Sequence, residues 1–114
     1  MAVLQSQNQD IYVLSGQTLV EQFDCFQDDT LSIPFDLTDY ALQAFLEIPS
    51  LGGGDPIVLT AGDGLVVDAP NGIIQLNAST TGWMVGRGRW YVEATDGSAV
   101  KSYPLRGVLY VGAP

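Results

Sequence analysis

The chain has 114 residues and a mass of 12.2 kDa, enough for one domain around one hydrophobic core. Thirteen acidic against four basic side chains give a formal charge of -9 and a pI near 4.1, which repels phosphate backbones and sets nucleic acid aside as a partner. Histidine is absent and cysteine occurs once, at Cys25, so Ser-His-Asp and Cys-His catalysis and an internal disulfide are all excluded.

Met1 to Leu4 runs at once into the polar stretch Gln5 to Asp10. With no basic leader and no long apolar core, no signal peptide is expected; residues 1–10 read as a flexible arm, ordered only if docked. The domain proper is expected over 11–114. Ile11 to Leu14 reads as a first strand, and Ser15-Gly16-Gln17 turns the chain into Thr18 to Phe26. There Leu19, Phe23 and Cys25 share one parity, and Glu21 interrupts that face, which suits a strand at a sheet edge. Asp28-Asp29 is a turn, and Pro34 makes Leu31 to Phe35 an edge or an irregular connection. Asp36 to Tyr40 forms a corner in which Asp36 and Thr38 cap backbone donors while Leu37 and Tyr40 point inward. From Leu42 to Ile48 the apolar residues alternate with Gln43, Phe45 and Glu47, a period of two; Pro49 and the short length favour strand over helix.

Gly52-Gly53-Gly54 is a loop, since no helix with a lysine follows it as a phosphate cradle requires. Pro56 to Thr60 and Leu65 to Asp68 are short strands, Pro70-Asn71-Gly72 is a turn with positive φ, and Ile74, Leu76 and Ala78 define the next strand. Ser79-Thr80-Thr81 is expected to cap one helical turn through Trp83, Met84 and Val85. A hairpin closes the chain: Trp90, Val92 and Ala94 face one way, Arg89, Tyr91, Glu93 and Thr95 the other, and Asp96-Gly97-Ser98 reverses the direction. The returning arm, Val100 to Val111, is more continuously apolar and reads as buried on both sides or central in a sheet. Short strands punctuated by turns at intervals of about ten residues imply an all-β fold, an antiparallel β-sandwich of Ig-like or jelly-roll-like type in a single domain.

No catalytic, cofactor-binding or metal-binding residues are assigned. Cys25 lies inside a strand pattern and reads as an inert buried thiol. The pairs Asp28 with Asp29 and Asp36 with Asp39 are explained by turns and caps rather than by a glycosidase site. Charged residues make up only 15% of the chain, against about a quarter in typical domains, so part of the apolar surface is expected to face a partner. No apolar stretch approaches the ~20 residues of a membrane helix, so membrane insertion is not expected. Trp83, Arg87, Arg89 and Tyr91 form the candidate partner interface. Trp83 and Tyr91 also support an alternative, a receptor- or glycan-binding module, against which Trp83 is expected to close the end of the sandwich and Trp90 to belong to the core.

The succession GQT at Gly16 to Thr18, FDLTDY at Phe35 to Tyr40, VLT at Val58 to Thr60, NGIIQLNASTT at Asn71 to Thr81, GRWYVEATDG at Gly88 to Gly97 and LRGVLYV at Leu105 to Val111 resembles small bacteriophage and prophage β-sandwich domains. These are similar to the N-terminal domain of phage baseplate upper proteins and to related tail-fibre-associated proteins. The resemblance implies a non-catalytic virion structural protein of tail, baseplate, fibre or head decoration, assembled in the host cytoplasm. Its implied partners are other virion proteins and further copies of itself, with a trimer expected from analogy.

Overall fold

A computed structural model of the chain describes residues 4–27, 33–48 and 56–113. The expected turn at Asp28-Asp29 and loop at Gly52-Gly53-Gly54 lie outside the described residues. Among them nine strands form: β1 (Gln7–Asn8), β2 (Ile11–Leu14), β3 (Thr18–Asp24), β4 (Ala41–Glu47), β5 (Ile57–Ala61), β6 (Gly64–Asp68), β7 (Ile73–Ser79), β8 (Gly86–Thr95) and β9 (Lys101–Gly112). A single 3-10 turn, Ala69–Asn71, ends on Gly72 in the left-handed region, where the Pro-Asn-Gly sequence places a turn. The helical turn expected at Trp83 to Val85 is not formed. Trp83 instead donates its backbone N–H to the Thr80 carbonyl, and Gly82 supplies the positive φ of the reversal.

The strands follow one path, β1-β9-β8-β4-β5-β6-β7-β3, with β2 also pairing β9. The interrupted apolar face of β3 accords with its place at the end of that path. The expected antiparallel order is corrected in part: β1 and β2 run parallel to β9, and β5 meets β6 in parallel at Thr60↔Gly64 and Ala61↔Leu65. Extended parallel ladders need a long connection, and β1 and β2 are separated from β9 by the whole domain; β5 and β6, joined through Gly62 and Asp63, share only two register positions. The arm therefore docks along the last strand, from Gln7↔Leu105 to Leu14↔Gly112.

The sheet curls until its ends face each other. Phe23 on β3 stacks on Trp90 of β8 at 4.8 Å between ring centres, inside a core that includes Ile11, Leu19, Leu46, Leu65, Ile74, Leu76, Leu105 and Leu109. The β8–β9 ladder shifts register between Val92 and Ala94. Pro104 sits at that bulge, where its missing N–H breaks no ladder bond, and it lies buried next to Leu105. Beyond the bulge β9 alternates: Arg106, Val108 and Tyr110 are at least partly exposed while Leu105, Leu109 and Val111 are buried. The second of the two readings for this arm holds, since it is central, between β8 and the arm strands.

Candidate functional site

Alternation dictates what the outer face of β2, β9, β8 and β4 presents. With Trp90, Val92 and Ala94 turned into the core, Arg87, Arg89, Tyr91 and Glu93 point outward. The register places Tyr91 between Phe45 and Arg106, Arg87 beside Tyr110, and Tyr110 beside Tyr12. All four basic residues of the chain, Arg87, Arg89, Lys101 and Arg106, are exposed on β8 and β9. An acidic protein thus carries all of its positive charge on one hairpin.

Two of these cations are paired. Arg89 grips Glu47 through Nε to one carboxylate oxygen and through Nη2 to the other, the latter at 3.3 Å, and this contact strengthens the guanidinium's hold on its proton. Lys101 Nζ lies 3.5 Å from Glu93, whose other oxygen accepts from the Tyr103 hydroxyl at 3.3 Å. Arg87 and Arg106 make no ion pair among the described residues.

Two concavities divide the face. One, of about 440 Å³, is lined by Asn8, Arg89, Tyr91, Tyr103 and Arg106, with the Trp90–Gly107 pair of the ladder as its floor. Tyr91 stacks on Phe45 at 5.0 Å and meets Tyr103 edge-on at 5.9 Å, so these walls are fixed by ring packing. The other, of about 500 Å³, lies where β2 and β9 end, between Tyr12, Leu14, Val85 and Tyr110. Tyr12 and Tyr110 stack at 4.6 Å, 8° from parallel. Tyr12 is 69%, Val85 59% and Leu14 46% exposed, and no charged residue lines this hollow. On its far side β2 pairs with no strand among the described residues.

The four residues expected at a partner interface separate. Arg87, Arg89 and Tyr91 stand in a row on the outer face of β8, whereas Trp83 is buried in the core at 6% exposure. The Trp83 carbonyl accepts from the Ser15 hydroxyl at 2.7 Å, and buried Thr80 donates its hydroxyl to the Gln17 carbonyl; together they tie the β2–β3 turn to the β7–β8 connection. Trp83 is thus a plug at one end of the core, and the glycan reading loses it. Phe45, Tyr110 and Tyr12 escaped the sequence reading as site residues, although their parity opposite Leu46, Leu109 and Ile11 marks them as outward. Asn8 had no such signal, because only the docking of the arm brings it beside Arg106.

Of the carboxylates weighed for catalysis, Asp28 and Asp29 lie outside the described residues, and Asp36 has a structural role. Asp36 accepts the Thr38 backbone N–H at 2.9 Å and its hydroxyl, bonds that lower its pKa and stabilise the ionised cap. Cys25 is fully buried, and desolvation, aided by the charge of Asp24, raises its pKa to about 12. No protein-family model and no curated protein matches the sequence. Among solved structures, extracellular domains 3–5 of Drosophila OTK are similar, with 12% identity and a TM-score of 0.43 over 97% of this chain and 35% of that one. The chain spans about a third of that structure.

Proposed function

We propose that the chain is a non-catalytic β-sandwich module of a bacteriophage virion, docking on neighbouring virion proteins through the uncovered β2 end of its outer face. The resemblance of its motifs to phage baseplate and tail-fibre domains supports the virion setting. The observation that carries the docking role is the exposed apolar hollow of Tyr12, Leu14, Val85 and Tyr110 beside the unpaired edge of β2. Exposed apolar side chains beside a strand edge that no other strand covers suit strand addition along Ile11 to Val13, in which a partner's extended segment continues the sheet while its side chains fill the hollow; the backbone of Leu14 is already bonded to Gln17 and Thr80. Arg87, beside Tyr110, lies at the rim, and tyrosine with arginine is the composition enriched at the centres of protein interfaces. The module assembles with closed symmetry, as a trimer by analogy with phage structural proteins.

The test is an immunoblot of purified particles of the phage that encodes the chain, using antiserum raised against it. The reading expects the chain to co-purify with particles through a density gradient. Its confinement to the soluble lysate, with none in particles, contradicts the proposal.

A further inference from the structure

We propose that the concavity between Asn8, Arg89, Tyr91, Tyr103 and Arg106 is a binding site for a saccharide bearing a carboxylate, of the uronic-acid or sialic-acid class. It is separate from the apolar hollow at Tyr12 and Tyr110 and does not rest on the docking role given to that hollow.

Charge comes first. Arg106 is exposed at the concavity without a counter-ion among the described residues, beside Arg89, whose guanidinium is turned to Glu47 through two of its three nitrogens. An anion here meets one unneutralised cation and a second already balanced, which suits a single carboxylate. A polyanion needs an array of cations, and the net charge of -9 repels it. Neutral polar groups come second. The Asn8 amide and the Tyr91 hydroxyl offer donors and acceptors matched to sugar hydroxyls, and the Tyr103 hydroxyl, which donates to Glu93, offers an acceptor.

Size and shape come third. About 440 Å³ falls within the range of small-ligand sites, roughly 300–1,000 Å³, and the concavity opens broadly to solvent, so one or two rings of a longer saccharide can lie in it. The Tyr91 ring already stacks on Phe45 and meets the Tyr103 edge, so the aromatic walls are preset and the ligand need not order them. The floor is the backbone ladder of β8 and β9, which carries Arg89, Tyr91, Tyr103 and Arg106, while Asn8 is brought beside Arg106 by the pairing of β1 with β9.

Saturation-transfer NMR of the full chain tests the site with four probes: trigalacturonate, sialyllactose, lactose and an Asp-Glu-Asp peptide. The expected result is transfer to at least one acidic saccharide, lost at least tenfold in affinity in Arg106→Ala and kept in Arg87→Ala, with lactose inert. Arg106 is exposed, so its truncation leaves the core intact; an unchanged melting curve confirms that. Equal transfer to lactose, response to the peptide alone, binding indifferent to Arg106→Ala, or no response to either acidic sugar at millimolar concentration overturns the proposal.

Discussion

Three single residues show how locally this fold is constrained. Cys25 ionises at 9.0 when free of the fold and at about 12 within it, so its contribution to stability is complete below pH 9 and is lost as pH rises from there towards 12. Urea unfolding across that window is expected to show a decline in wild type that Cys25→Ala does not share. At pH 8 the thiol should resist maleimide until denaturant is added. Ala99 holds a φ of 62° in the hairpin turn, where Asp96 accepts the N–H groups of Ser98 and Val100. Ala99→Gly relieves the crowded Cβ and should stabilise the protein by about 1 kcal/mol, read as a rise in melting temperature. Gly107 is constrained by space: a Cβ there would stand 1.9 Å from the Gln9 carbonyl oxygen. Gly107→Ala must push the arm off β9 and should cost roughly 3 kcal/mol.

At the scale of elements, the link between β1 and β2 is the joint on which the outer face depends. The Trp90 indole N–H donates to the Gln9 carbonyl at 2.7 Å, Asp10 accepts the Val108 N–H at 2.9 Å, and the Gln9 N–H donates to the Arg106 carbonyl at 2.8 Å. Trp90→Phe keeps a ring against Phe23 but drops the bond to Gln9, and should destabilise by about 2 kcal/mol. Faster hydrogen exchange at the Val108 amide would report the loosened arm. This joint was not legible in the sequence: nothing in Gln5 to Asp10 alternates, and the signal that the arm docks lies in a tryptophan eighty-one residues away. The strands with strict alternation, β2, β4, β7 and β8, were legible because one face of each is buried. Parallel pairing was not, since periodicity reports which face is buried and not which strand lies alongside. Of the candidate site, the row Arg87, Arg89, Tyr91 followed from parity; Trp83, between turns, has no parity to read, so the sequence places it both at the interface and closing the end of the fold, and its burial fits only the second.

Across the whole molecule, positive charge is sorted: every cation lies on β8 and β9. Exposed apolar side chains are more dispersed, with Val20, Val58, Val66 and Val100 on other strands and turns, but Tyr12, Leu14 and Val85 share one hollow where β2 ends. If that end docks a neighbour, the double variant Tyr12→Ser with Val85→Ser should lose only about 1 kcal/mol of stability, chiefly the Tyr12–Tyr110 stack, and stay folded, yet fail to enter particles. Light scattering of the purified chain should give about three times 12.2 kDa if the same end also joins copies of the chain. The most direct test of the docking surface is hydroxyl-radical footprinting of the chain, free and in purified particles. Tyr12, Leu14, Val85 and Tyr110 should lose reactivity on assembly. If all four keep the reactivity of the free chain, the docking surface is elsewhere and the central claim fails.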